Sequence, residues 1–316
     1  MRRGRASLGW ALLLSLAGCT CERAPAQERE AVVEADAPAQ LRLGEVAPLP
    51  DPRSTPRRVV LFDETSPYSR VRVLQKKNLR LLGFLQDNGR EMIQSSLDVD
   101  APHVLKLPYG QAAFLSLAIK PSQPRILIVG LGGGAMVHFL RRHLPDAALE
   151  VVEIDPVVVK VAAEYFGVRD GVEAKVHVGD GVAFIQGASA RWDAIYLDAF
   201  FKPTAPNTDL SGVPEGISGP AFLRSLAEHL EPDGLMILHV HHRADWAEHL
   251  RAVQGVFPHQ RTIAHRGSVL IFASRSPLPE PAAIVERAAA LDDRHGWEFS
   301  MAELAKRVAI PEPAQG

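Results

Sequence analysis

Seven short β-prone apolar runs recur between Pro124 and Arg275, at Arg125–Gly130, Leu149–Asp155, Ala174–Gly179, Trp192–Asp198, Leu235–His241, Arg261–His265 and Val269–Ser274. The first five are separated by longer segments, such as Val157–Phe166 and Ala221–Leu230, whose apolar residues follow a helical period. The last two are separated only by Arg266, Gly267 and the serine after them. A crossover long enough to hold a helix returns the next strand parallel to the last, whereas so short a link forces an antiparallel pair. The spacing therefore predicts an α/β fold over residues 103–275: a doubly wound, Rossmann-like parallel sheet with a terminal antiparallel hairpin.

A different pattern precedes it. Val59–Phe62, Arg70–Gln75, Leu79–Gln86 and Glu91–Leu97 are short strand signals, and Asp87, Asn88 and Gly89 form a turn signal between the last two. They predict a small antiparallel β-domain over residues 58–102. After the sheet, residues 276–316 read as a Pro-rich linker and a helical tail.

The N-terminus is a separate object. Arg2, Arg3 and Arg5 precede the apolar run Leu8–Leu16, which is short for a permanent membrane span and suited to a secretory signal. The run ends in Leu16-Ala17-Gly18-Cys19, which resembles a bacterial lipobox and implies acylation of Cys19 after cleavage of residues 1–19. Residues 20–57, rich in Ala, Pro, Glu and Arg, read as a disordered tether with a root-mean-square reach of roughly 35 Å. The expected location is a lipid-anchored protein on the periplasmic side, with the outer membrane favoured. A misassigned start would leave it cytoplasmic, although the next methionine, Met92, already lies inside the β-domain.

Composition removes several classes. The two cysteines are Cys19 and Cys21, so the body has no disulfide, thiolate metal site or catalytic thiol. A net charge of -2, no long basic block and 6% aromatic residues argue against a nucleic-acid partner. His239 and His241 share one strand face as a candidate metal pair, but no third ligand is evident, and no metal is expected. A homodimer stays open.

Candidate chemistry collects at predicted strand ends. Gly130, Gly132, Gly133 and Gly134 follow the first strand of the sheet, where a bare backbone turns tightly and lets a ligand approach. The same spacing satisfies a dinucleotide fingerprint, so the loop alone leaves a nicotinamide cofactor open. Glu153 and Asp155 end the second strand about twenty residues on, where a carboxylate can accept both ribose hydroxyls. Asp155 precedes Pro156 and suits a helix cap, so the ribose role falls to Glu153. Asp180 with Gly181 follows the third strand, placed either to meet the adenine amine or to cap a helix. Asp198 ends the fourth strand, where it could equally be a turn residue.

With these features in order, the sequence resembles the spermidine synthase family of polyamine aminopropyltransferases over roughly Ser66 to Ser274. The resemblance is carried by Ser66-Pro67-Tyr68, "DNGREMIQSS", Tyr109, the glycine loop, "VVEIDP", "GDGVAFI", "WDAIYLDAF" and the stretch from Gly212 to Val240. It implies that the glycine loop, Glu153, Asp180 and Gly181 hold S-adenosylmethionine or its decarboxylated form. It also implies that Asp198 deprotonates a small-molecule amine acceptor, with Tyr109, Gln94 and Phe201 at the substrate pocket. Two acids of the family pattern are missing. Gly133 stands where the loop aspartate would hold the donor's ammonium, and Phe201 stands where a second catalytic-loop aspartate would help bind a diamine. Burying a dication without paired carboxylates is costly, which weakens a diamine acceptor and points toward methyl transfer as an alternative. A nucleoside-binding lipoprotein without catalysis is a further alternative, favoured by an exported location where no ordinary supply of the donor is expected.

Overall fold

The computed structural model describes residues 33–34, 58–86, 88–200, 215–242 and 246–313. Cys19, Phe201 and, apart from Val33–Glu34, the expected tether lie outside the described residues.

Strands β1 (Val33–Glu34), β2 (Val59–Thr65), β3 (Arg70–Lys76), β4 (Leu79–Leu85) and β5 (Glu91–Asp98) form the first sheet in sequence order. β2 to β5 pair antiparallel, and β1, from the stretch expected to be a tether, runs parallel to Val59 and Val60. Val71, Val73, Leu82 and Leu97 bury the inner face, as alternation along half-buried strands requires.

Short helices α1 (Pro108–Ala113) and α2 (Ser116–Ile119) lead into the main domain. There β6 (Arg125–Val129), α3 (Ala135–His143), β7 (Ala148–Glu153), α4 (Pro156–Phe166), β8 (Lys175–Val178), α5 (Gly181–Gly187) and β9 (Trp192–Leu197) alternate. They are followed by α6 (Glu215–Ser218), α7 (Pro220–Glu228), β10 (Leu230–His241), α8 (Trp246–Gln254), β11 (His259–His265) and β12 (Ser268–Ser274). The sheet order is β11-β12-β10-β9-β6-β7-β8, parallel from β10 to β8, with β12 antiparallel to both its neighbours. Chain order reverses between β6 and β9, which opens a crevice at the carboxyl ends of these strands.

Consecutive residues of each strand serve opposite faces. Ile126, Ile128, Tyr196 and Ile237 pack with Phe139, Val158 and Phe166 on one side, while Leu127, Val129, Leu197 and Leu238 pack with Ile185, Leu223 and Leu226 on the other. Each such side chain contributes about 1.5 to 3 kcal/mol by leaving water, so register along the strands is strongly specified.

The hairpin link is shorter than the sequence suggested. Ser268 belongs to β12 and pairs with His265, leaving Arg266 (φ 47°) and Gly267 (φ 86°) as a two-residue turn with positive φ at both positions, the twist that joins antiparallel strands most easily.

The C-terminal helices α9 (Pro281–His295) and α10 (Met301–Ala305) complete one face of the sheet rather than trailing from it. Ile284, Ala288, Met301 and Ala305 are buried with Phe139 in the same core, and Thr262 and Ala309 exchange two backbone hydrogen bonds of 2.9 Å. Asp292 knots the two helices by accepting from Trp297 Nε1, Ser300 Oγ and the Met301 and Ala302 amides. Burial works to raise its pKa, but those donors outweigh it and hold the carboxyl below the ordinary range.

Candidate adenosyl-ligand site

A cavity of about 550 Å³ opens at the carboxyl ends of β6, β7 and β9, roofed by residues of the β-domain including Gln94 and Ser95. Gly130, Gly132, Glu153, Asp180, Gly181, Asp198, Tyr109 and Gln94 all line it, so most of the residues singled out from sequence converge on one space.

The glycine loop works differently from the simple picture of a backbone bared for a ligand. Gly130, at φ 97°, would place a Cβ 2.2 Å from the carbonyl oxygen of Asp198, so its bareness lets β6 and β9 end side by side. Gly133 and Gly134 do not line the cavity. A Cβ on Gly133 would meet Ser95 Oγ at 2.8 Å and Phe166 at 2.9 Å, and one on Gly134 would meet Val168 at 2.2 Å. These two glycines serve packing between the loop and its neighbours, and the space that an aspartate side chain would need at position 133 is already filled. Gly132 is the loop glycine with room, lining the cavity with nothing nearer than 3.8 Å.

Glu153 leaves β7 with its carboxylate fixed by two amides: Leu131 N–H donates to one oxygen at 2.8 Å and Asp155 N–H to the other at 3.0 Å. Burial raises its pKa, opposed by those amides and reinforced by the nearby negative Asp155. Each oxygen keeps a lone pair for a ligand hydroxyl. Asp155 caps α4 by accepting from Val157 N–H at 2.9 Å, and its other oxygen accepts from Ser66 Oγ. Ser66 thereby ties the turn between β2 and β3 to the first turn of α4. Asp180 caps α5 through Ala183 N–H at 2.9 Å, so the cap reading of this residue is realised, with one carboxylate oxygen left over. Gly181 is bare because a Cβ would meet Val129 Cγ1 at 2.5 Å.

At the far end Asp198 follows β9. Its Oδ1 lies 2.7 Å from His239 Nδ1, and Tyr109 hydrogen-bonds it as well. The phenol of Tyr109 is pushed well above its ordinary pKa, first by burial and then by the Asp198 charge, so it stays a donor. Its ring stacks on His239 at 4.3 Å and 10°. Phe200 stands edge-on to the same imidazole at 4.9 Å and 72°.

Sequence reasoning missed this role of His239. It weighed His239 only as half of a metal pair with His241 and set that aside for want of a third ligand, whereas both ring nitrogens of His239 are engaged, by Asp198 and by Ser268 Oγ at 2.9 Å. Among the described residues no group of three His, Cys, Asp or Glu side chains is arranged to hold a metal. The signal that could have found the pairing is register: Leu238 pairs with Leu197, so His239, inside β10, lies beside Asp198 at the end of β9.

The sheet order defines a class I methyltransferase-like fold, with Glu153 and Asp198 lining one cavity at the carboxyl ends of its strands. Within it, residues 113–264, just under half of the chain, match the spermine/spermidine synthase domain, and that stretch is spermidine synthase-like. It is 27% identical to the polyamine aminopropyltransferase of Vibrio vulnificus over 76% of this chain and 80% of that one. It is also 30% identical to the human eEF1A lysine and N-terminal methyltransferase over 58% of this chain, spanning only 29% of that enzyme's length. The solved structure of human methyltransferase-like protein 13 in complex with SAH superposes with a TM-score of 0.55 at 25% identity, covering 61% of this chain and 94% of that one. Both kinds of curated relative are transferases, which places this chain in that class.

Proposed function

We propose that the protein transfers an alkyl group from an S-adenosyl sulfonium donor to a nucleophile whose proton Asp198 accepts. The observation that carries this reading is the single cavity that joins Glu153 and Asp180 at one end to Asp198 at the other. Glu153 would accept the ribose hydroxyls and the free oxygen of Asp180 the adenine amine, which directs the sulfonium toward Asp198. Aminopropyl transfer from the decarboxylated donor to an amine is the leading reaction, because the aminopropyltransferase relative aligns with most of this chain. The acceptor end offers Tyr109, Phe200 and His239 around Asp198, so an uncharged or monoamine acceptor suits it better than a dication.

Methyl transfer is the second reading, favoured by Gly133. A donor that keeps its carboxylate meets no acid from this position, and the methyltransferase relative agrees with it. Supplying each donor with a panel of amine and hydroxyl acceptors separates the two. Release of methylthioadenosine identifies aminopropyl transfer and release of S-adenosylhomocysteine identifies methyl transfer. No release with any pair would leave a nucleoside-binding protein as the better account.

A further inference from the structure

His239 is held so that its bonding order fixes its tautomer. Nδ1 faces Asp198 Oδ1 at 2.7 Å and Nε2 faces Ser268 Oγ at 2.9 Å. A carboxylate only accepts, so a neutral imidazole here carries its proton on Nδ1, and the bare Nε2 then accepts the Ser268 hydroxyl proton. The other tautomer would set a ring lone pair against the carboxylate at hydrogen-bonding distance. The ring has little freedom to swing, being 5% exposed and packed between the stacked Tyr109 and the edge-on Phe200. Ser268 is equally fixed, 8% exposed as the first residue after the two-residue hairpin turn.

We propose that His239, held as the Nδ1–H tautomer by the acceptor-only Asp198 carboxylate and seated by Ser268, is a positioning residue that aims that carboxylate at the nucleophile. Tyr109 supplies the second donor from a different element, so Asp198 is oriented from β10 and α1 together. One carboxylate oxygen is anchored, and lone pairs remain for the substrate's proton. The reacting nitrogen or oxygen gives its proton to Asp198 as its lone pair attacks the carbon on sulfur, and the sulfonium leaves as a neutral thioether. His239 and Ser268 exchange no atoms with the substrate. The same order of bonds would also serve a serine nucleophile, and the experiment separates the two roles. The aiming role rests on the function proposed above; the tautomer lock does not.

The test uses the full chain with 15N-labelled histidine. Long-range proton–nitrogen correlation should show His239 as the Nδ1–H tautomer in the wild type and in Ser268→Ala, and as a mixture in Asp198→Ala. In turnover assays His239→Leu should lower kcat by about a hundredfold with KM for the acceptor within a few-fold, as expected for an interaction used mainly in the transition state. His239→Asn, which keeps an N–H near the place of Nδ1, should recover most of that loss, and Ser268→Ala should cost less than about tenfold. An Nε2–H tautomer in the wild type would overturn the proposal, as would a His239→Leu variant that turns over normally. Loss of all activity in both Ser268→Ala and His239→Asn would reassign Ser268 as a nucleophile with His239 as its base. If no donor and acceptor pair reacts, the functional reading fails, and the tautomer spectra still decide the lock.

Discussion

An amine with a pKa near 10 is protonated at neutral pH and attacks a sulfonium only after losing that proton, so the group that accepts it governs the rate. Asp198→Asn keeps the shape and the contact with Tyr109 but cannot take a proton. It should lower turnover by at least about a hundredfold while nucleoside affinity stays within a few-fold; a variant as fast as wild type would remove Asp198 as the base. Glu153→Ala should weaken nucleoside binding by about 1.5 to 3 kcal/mol, the worth of lost charge-assisted bonds, and unchanged affinity would move the ribose elsewhere. Binding at Glu153 also carries a pH signature. Burial raises its pKa above the usual 4.5, and the ionised form is the one that accepts two hydroxyls. Affinity is therefore full above the raised pKa and falls as pH drops through it. The native state binds this proton more readily than the unfolded chain does, so the group's contribution to stability is present at low pH and lost as pH rises through the folded value. Calorimetry from about pH 7 down to about pH 4 should show the affinity loss beginning before an ordinary glutamate would titrate.

Among elements, the ends of β6 and β9 are the tightest junction in the site. Gly130→Ala sets a Cβ against the Asp198 carbonyl at a positive φ, so it should destabilise the fold by about 2 kcal/mol or more and disturb Asp198, whereas Gly132→Ala should cost about 1 kcal/mol. Equal unfolding midpoints for the two variants would contradict this. The packing of α9 and α10 against α3 has its own titration. His143, wedged against Phe139, Trp297 and His295, has its pKa lowered to about 4 by burial, with the His295, His103 and Arg142 charges adding to it. Its unfolded value is 6.5, so the folded chain resists this proton, and stability should decline as pH falls through that window toward 4. Thermal midpoints should show a shallower acid decline in His143→Phe. The strands, the hairpin and the convergence of Gly130, Glu153 and Asp198 were legible because each rests on local periodicity or a strand end. The docking of the tail and the His239 contact were not, because Ile284 and His239 meet their partners only once the sheet order is known. Gly133 and Gly134 misled for the same reason: what fills the space beside them comes from β5, α4 and the residues just after it.

At the scale of the whole molecule two claims remain separate, where the chain resides and what it binds. We propose that Cys19 is acylated after export. Labelled palmitate should enter the wild type and not Cys19→Ala, and absence of label from the wild type, or label that survives Cys19→Ala, would sink the lipid-anchor reading. No helix among the described residues is long and apolar enough to cross a membrane. The ligand claim reaches further, because β-domain, sheet and α1 all contribute walls to one cavity. It is tested most directly by calorimetric titration of residues 58–316, with the full chain as a control for that boundary. Methylthioadenosine or S-adenosylmethionine should bind at one site and more tightly than NAD. Tighter binding of NAD, or no binding of either adenosyl compound, would contradict the account.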